Sequence, residues 1–416
     1  MSPRRQLGTI VLIAAVLHHV LVVLSPAWVQ TKDHEQGRDF ASYYYAIRVA
    51  ADGGDPYDTK QLSETARADG SRRGVHPFLY APPFLLSMAW APGFDLGTAF
   101  HRWFWLHELC LVASVLVMAG WTRRHGDEAP WVLAVLVATM TAIPNNHMMG
   151  QANFPGLALA IGGIWATDRG KPWLGGALLG TACMLKMAPA LLVLWWILRK
   201  EHQAVMASVV TAIVLSVLTL PYASFDVQLG FYRDVLPTFS SGGYNGLAVP
   251  IGMFGNHSLP NVFHQWFPSG KGTLSSTARV LALSGNLSLL VGLGVAFRNE
   301  APDALQRLGQ VGAVSIVMLL FPVYTYEHHL VWTLPASLAA VIGVLRGRLP
   351  GSWAVVVGVG IALVAFELAA MKRLVELPDT AAWMGTLIRE SKTVGLLALL
   401  AATVRMGAVP GPEDPT

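Results

Sequence analysis

Charge is scarce in this sequence. Of its 416 residues only 13% are Asp, Glu, Lys or Arg, while 53% are hydrophobic; soluble domains carry about 25% charged residues. That shortage excludes a water-soluble globular protein. The solvent for most of this chain is lipid, where backbone polar groups are satisfied inside helices. Cysteine is nearly missing too. Cys110 and Cys183 both lie in apolar runs, so they read as small core residues and imply neither a disulfide nor a metal site. The apolar run after Arg5 lacks a small-residue cleavage site, Pro26-Ala27-Trp28 being a poor one. It therefore reads as a retained first helix and not as a removed signal peptide. Positive charge is not massed on one segment: the net +4 falls in short loops. That is the orientation signal of a membrane protein and not a nucleic-acid footprint, so no nucleic-acid partner is expected.

What is present is a series of apolar segments with polar breaks. Residues 7–24 form the first span, with Arg4 and Arg5 holding its start in the cytoplasm. Residues 25–77 then form a long outer loop, too long for a mere connection. Short surface helices are predicted at 43–51 and 59–68. Residues 77–92 are apolar but short and carry Pro82-Pro83, which suits a re-entrant or broken helix, since a full span needs about 20 residues. Further spans or half-spans follow to residue 220. A second large outer loop covers 222–277, and the remaining spans run to 404. The whole of 1–406 reads as a single polytopic all-α membrane domain with roughly 11 to 13 spans. The Pro-rich tail 407–416 is expected to be disordered. Arg123-Arg124, Arg169 with Lys171, Arg199-Lys200, Arg298 and Arg346 with Arg348 are assigned to the cytoplasmic side.

That assignment sends five polar clusters to the outer face. They are Arg38-Asp39, Gly150-Gln151-Ala152-Asn153, Lys186, Gly255-Asn256-His257-Ser258 and Glu327-His328-His329. Ionisable groups at membrane depth are costly and mark functional sites by default. Asp39 reads as a catalytic base within reach of a lipid-borne substrate, and Arg38 as a phosphate contact. Other readings compete. The Gln151/Asn153 motif could cap a helix, and Lys186 could snorkel, although it lies far from either flank. Tyr43, Tyr44 and Tyr45 suit an interfacial belt or a sugar face. Asp58 reads as a turn and N-cap residue, and His257 as a substrate contact or a plain loop histidine. His328 and His329, being adjacent, make a poor chelate and better suit hydrogen bonding to a phosphate. The first outer loop has no Asp-x-Asp pair, so no metal cofactor is expected.

Taken together these motifs resemble those of glycosyltransferase family 87. The resemblance is carried by Asp39-Phe40 with Tyr43-Tyr44, Gly54-Asp55-Pro56-Tyr57-Asp58 and Tyr80-Ala81-Pro82-Pro83. It continues through Gly150-Gln151-Ala152-Asn153, Lys186-Met187-Ala188-Pro189, Gly255-Asn256-His257-Ser258 and Phe321-Pro322 with Glu327-His328-His329. It implies a GT-C fold and an active site under the first outer loop of a bacterial plasma-membrane protein. It also implies a polyprenyl-phosphate sugar donor, with a glycolipid or glycan as acceptor and membrane lipids as surroundings. The family's best-known members resemble α-1,2-mannosyltransferases acting on phosphatidylinositol mannosides. Carried over, Asp39 is the general base and His328 and His329 lie at the donor phosphate or the reaction centre. Substrate contacts are expected from Arg38, Tyr43, Tyr44, Tyr80, Gln151, Asn153, Lys186, Asn256, His257 and Glu327. The competing class, a transporter or flippase of a lipid-linked sugar, calls for inverted repeats and a midplane site, and no repeat is evident.

Overall fold

Breaks between helices, more than the helices themselves, decide where the polar groups of this chain lie. The computed structural model describes residues 3–25, 37–71, 74–123, 126–247, 249–269, 273–299, 301, 303–377 and 381–408. Among these, no β-strand forms. The first helix, α1 (Pro3–His19), runs on through a π-helical turn to Leu24. The loop that follows carries α2 (Arg38–Ala51), α3 (Thr59–Ala68) and the short α4 (Phe84–Met88) before α5 (Leu96–Thr122). Next come α6 (Ala129–Thr139), α7 (Ala142–Met149), α8 (Asn153–Asp168), α9 (Pro172–Leu185), α10 (Ala190–Leu198) and α11 (His202–Leu218). The second long loop holds α12 (Phe225–Gly230), α13 (Leu236–Ser240) and α14 (Leu259–Trp266). The chain ends with α15 (Ser276–Ala296), α16 (Ala304–Leu320), a 3₁₀ segment (Glu327–Thr333), α17 (Leu334–Leu345), α18 (Trp353–Ala365), α19 (Leu368–Val375) and α20 (Ala382–Ala408).

Among the described residues, four stretches are long and apolar enough to cross a membrane: Gln6–Leu24, α5, α15 and Glu327–Leu345. Two bent pairs raise the number to six. These are α6 with α7, bent by 62°, and α18 with α19, bent by 86°. The other spans expected from sequence are shorter or more polar helices, such as α9, α11 and α16. Residues 77–92 hold no helix long enough to cross a membrane. Pro82-Pro83 restart the chain as α4, whose Phe84 is fully buried against Tyr43, with ring centroids 4.7 Å apart. Helices α18 and α19 are divided at Phe366-Glu367.

The two ends of the bundle differ in chemistry. At one end Arg307 pairs with Asp168 at 2.7 Å, Arg348 pairs with Asp303, Arg346 pairs with Glu128, and Trp121 donates to Asp168. At the other end, about 27 Å along α5 from Trp121 to Trp103, the first loop folds into a core of its own. Phe40, Tyr43, Tyr44, Tyr45, Phe78, Phe84 and Trp103 meet there. All three tyrosines are nearly inaccessible (1–3% exposed), so they form neither a membrane-interface belt nor an open sugar platform. Asp58 caps α3 as read from sequence, its carboxylate accepting from the Lys60 and Gln61 amides. Asn245 of the second loop donates to the Tyr57 carbonyl at 2.7 Å, which ties the two loops together. Residues 26–36, 72–73 and 409–416 of the loop and tail assignments lie outside the described residues. The start of the expected tail is helical: α20 runs to Ala408, and the Gly407 carbonyl accepts from Gln306 and Gln310.

Candidate active site

Two glycines bring the site together. Gly37 precedes α2 with φ 69°, and Gly150 ends α7 with φ 70°, a left-handed backbone that favours glycine. A Cβ on Gly150 would stand 2.7 Å from the Phe40 Cβ, and one on Gly37 would stand 2.8 Å from the Phe100 ring. The Gly37 amide donates to the Met148 carbonyl at 2.7 Å, and the Trp103 indole donates to the Gly150 carbonyl at 2.8 Å. The start of α2 is thereby laid against the end of α7. Helix α2 begins at Arg38, earlier than the sequence pattern suggests, so Asp39 sits in a helical first turn.

From that turn a continuous polar chain leads inward. The Gln151 amide Nε2 donates to Asp39 Oδ2 at 2.8 Å. Gln151 Oε1 accepts from the Tyr80 hydroxyl at 2.6 Å and from Lys186 Nζ at 3.3 Å. Tyr43 donates to the Tyr80 oxygen at 2.6 Å. Lys186 also donates to Asn153 Oδ1 at 2.6 Å, and Asn153 Nδ2 donates to the His328 carbonyl at 3.0 Å. Lys186 is available because helix α9 ends at Leu185, where Pro189 cannot donate to the Leu185 carbonyl, and residue 186 is extended. It does not snorkel, and the motif around Gln151 and Asn153 does not act as a side-chain cap of α8. An ammonium has three protons and two are engaged here.

These groups line a cavity of about 1400 Å³. Its floor includes Asp39, Tyr43, Tyr80, Gln151, Asn153, Lys186, His328 and His329. Its far walls are apolar, from Leu194, Val209 and Leu283, which are 49%, 51% and 62% exposed. The hollow therefore opens on the apolar flank of the bundle, between α10, α11 and α15. Arg279, on the same face of α15 as Leu283, also lines it. His328 Nε2 is buried without a partner. His329 Nδ1 accepts from the Tyr326 amide at 3.0 Å, so in the neutral ring its proton is on Nε2. The two rings stand edge to face at 80°. Among the described residues no group of three or more His, Cys, Asp or Glu side chains could hold a metal ion.

Burial pushes the Asp39 carboxyl up, but hydrogen bonding from His76, the field of His328 and the Gln151 amide outweigh it. The net result lies below the ordinary carboxylate value, and Asp39 is a carboxylate at neutral pH.

Several residues expected at the site are placed elsewhere. Tyr44 does not line the cavity; its hydroxyl donates to the Phe94 carbonyl at 2.8 Å. Asn256 does not line it either. Its amide binds the carbonyls of Ile251 and Val323, its Oδ1 accepts from the Thr325 amide, and it holds two loops together. His257 is fully buried, with Nε2 3.5 Å from Glu327. Glu327 borders the cavity, but its Oε1 is taken by Lys392 Nζ at 2.7 Å and by the Thr141 hydroxyl at 2.6 Å. It thus joins both helix breaks to the segment bearing His328, because Lys392 also donates to the Val364 carbonyl. Arg38, by contrast, is exposed, lines the cavity and contacts His76. Lys392 and His76 escaped the sequence reading. Lys392 is an intramembrane lysine, the same signal that marked Lys186. His76 carries no local signal; it lies 37 residues from Asp39 and only folding brings it near.

A model of glycosyltransferase family 87 matches residues 78–323, more than half of the chain. The chain belongs to glycosyltransferase family 87. Its all-α polytopic architecture is that of a GT-C glycosyltransferase. It is 25% identical over 296 residues to a polyprenol-phosphate-mannose-dependent α-(1-2)-phosphatidylinositol pentamannoside mannosyltransferase of Mycobacterium tuberculosis, covering 69% of this chain and 64% of the relative. It is 26% identical over 241 residues to a polyprenol-phosphate-mannose-dependent α-(1-2)-phosphatidylinositol mannoside mannosyltransferase of Mycolicibacterium smegmatis, covering 55% and 50%. An α-(1->3)-arabinofuranosyltransferase of Corynebacterium glutamicum is 26% identical over 229 residues, covering 52% and 50%. The chain thus spans about half to two thirds of the length of these family 87 relatives. The family match begins after Asp39 and ends before Glu327, so it does not itself assign roles to Asp39, His328 or His329.

Proposed function

We propose that this family 87 glycosyltransferase moves a hexose, mannose in the first instance, from a polyprenyl-phosphate sugar to an acceptor hydroxyl of a glycolipid or glycan. The reaction takes place on the extracytoplasmic side of a bacterial plasma membrane, with the N-terminus cytoplasmic. The observation that carries the reading is the Asp39–Gln151–Lys186 chain on the floor of a hollow that opens on the apolar flank. A lipid donor can enter sideways with its tail in the apolar part and its phosphate toward Lys186. At about 1400 Å³ the hollow exceeds the roughly 300–1000 Å³ of a typical small-ligand pocket, which leaves room for donor head and acceptor together.

The acceptor oxygen attacks the anomeric carbon of the donor. Its O–C bond forms as the bond from that carbon to the phosphate oxygen breaks, and its proton passes to Asp39. The bonding electrons leave with the polyprenyl phosphate. Lys186 has one proton left to meet the departing charge, and His328 and His329 line the same cavity. One displacement inverts the centre, so a β-linked donor gives an α product. No metal ion takes part in this scheme.

The test is transfer from purified polyprenyl-phosphate mannose by the purified chain. Positioned base catalysis is worth about 10²- to 10⁴-fold, so Asp39→Asn should fold and turn over at least a hundredfold more slowly. Substantial residual turnover in Asp39→Asn removes Asp39 from the mechanism. A second donor, polyprenyl-phosphate arabinofuranose, belongs in the same assay because of the arabinofuranosyltransferase relative.

A further inference from the structure

The least expected side chain at the site is His76, from the segment between α3 and α4. Its Nδ1 lies 3.3 Å from Asp39 Oδ1, and its Nε2 lies 3.5 Å from Arg38 Nη2. The ring is about one-third exposed, at 34%, while Asp39 is 17% exposed. A guanidinium is always charged and only donates. Nε2 must therefore turn a lone pair to Arg38, and in the neutral ring the proton is then on Nδ1, facing Asp39. The other tautomer sets a lone pair against the carboxylate and an N–H against the guanidinium.

We infer that His76 is a positioning residue for Asp39, with its tautomer fixed by Arg38. The inference rests on Asp39 being the base. The geometry on both sides of the carboxylate supports it. Gln151 donates to Oδ2 and His76 to Oδ1, so the plane of the carboxylate is pinned at both oxygens, each of which keeps a further lone pair for an incoming proton. Arg38, read from sequence as a phosphate contact, acts here through the imidazole. The arrangement also explains why adjacent Arg38 and Asp39 form no direct pair: the ring stands between them. A loop segment that is partly open to solvent thus sets the orientation of the reacting group.

Removing an N–H donor from a carboxylate disfavours its charged form, so the acid limb of kcat/KM should move upward in pH when His76 is lost. The other charged and titratable groups around Asp39 are Lys186 and His328, with the phenols of Tyr43, Tyr80, Tyr244 and Tyr326. All remain in every variant below, so a limb owned by one of them stays where it is.

The experiment is the pH dependence of kcat/KM for mannose transfer by the full chain and by His76→Phe, His76→Asn and Arg38→Met. In His76→Phe the acid limb should rise by about one pH unit, the scale of a hydrogen bond to a charged group. Plateau turnover should also fall by about tenfold. An Asn side chain places its Nδ2 where the ring places Nδ1, so His76→Asn should keep the wild-type limb. Arg38→Met frees the tautomer and should move the limb part-way in the same direction. A His76→Phe profile that superimposes on wild type overturns the inference, and so does a His76→Asn profile that shifts as far as Phe. If His76→Phe does not fold, an unmoved limb in Arg38→Met overturns it instead. An Asp39→Asn variant with ample turnover sinks the base itself. An inactive Asp39→Asn together with unmoved limbs sinks only the role of His76.

Discussion

Gly150→Ala isolates the device that aligns the site. The residue is held at φ 70°, ψ 28°, and a left-handed backbone costs an L side chain about 1–2 kcal/mol. The new methyl would lie 2.7 Å from the Phe40 Cβ and 3.1 Å from the Phe100 ring. A Cβ cannot rotate away, and Phe40 is fully buried, so the start of α2 must shift. Overpacking of this kind costs about 1–3 kcal/mol, for a total of about 2–5 kcal/mol. The shift moves Asp39 relative to Gln151, now 2.8 Å away, and a displacement near 1 Å costs about 10²-fold in rate. Gly53→Ala is the control. Its φ is 79° but nothing lies within 4 Å of the added carbon, so it carries the backbone strain alone. Thermal unfolding in detergent and kcat should both fall in Gly150→Ala, whereas Gly53→Ala should lose about 1–2 kcal/mol and keep its kcat. If the two variants match in both readouts, the close approach of α2 and α7 does not set the geometry of the site.

Asn153→Leu keeps the branched shape but strips the partners of Lys186, Asn146, Trp332 and the His328 carbonyl. With about 1–3 kcal/mol for each stranded buried group, it should lower the melting midpoint and abolish transfer, and a stable, active Asn153→Leu would contradict the network. Lys392→Met leaves the buried Glu327 carboxylate without its cation and should destabilise by about 3–5 kcal/mol. Adding Glu327→Gln should recover much of that loss, and a double mutant no better than the single one refutes the pairing. For pH, the Asp39 carboxyl is depressed in the folded chain. Its contribution to stability is therefore present above the unfolded carboxylate value and lost as pH falls through the lower folded value. Transfer and melting midpoint should hold down to roughly pH 4, and a loss of transfer beginning near pH 6 would contradict a depressed Asp39.

The sequence made the membrane class and the convergence of Asp39, Gln151, Asn153, Lys186, His328 and His329 legible, for one reason. Polar groups in an apolar chain are costly, so they announce themselves. The same rule does not separate substrate contacts from structural partners at Glu327 and His257, because a buried charge can serve either a substrate or another buried charge. Only Lys392, 65 residues away from Glu327, decides between the two. Three consecutive tyrosines on a helix point in different directions, so spacing does not say which of them faces the hollow, and Tyr44 does not line it. His76 could not be read at all. Its role depends on a contact made by a loop, and loop approach is set by tertiary packing and not by local pattern.

The position of Asp39 in the first turn of α2 bears on the chemistry it is suited to. Unpaired amides at a helix start favour an anion, and His76, Gln151 and His328 act in the same direction. Each of them keeps the carboxylate charged and so makes it a weaker base. A strong base is not needed if the proton leaves late. As the acceptor oxygen bonds to the anomeric carbon its own acidity rises steeply, and a carboxylate then suffices to take the proton. Before that moment the sugar ring carries developing positive charge as the phosphate departs, as in oxocarbenium-like glycosyl transfer. An anion held rigidly beside it stabilises that charge without reorganisation. Lys186 stands on the opposite side of Gln151 from Asp39, with one amide binding both. In the proposed reaction the negative charge would lie toward the sugar and the positive charge toward the phosphate, which is the polarity that pulling the two apart requires.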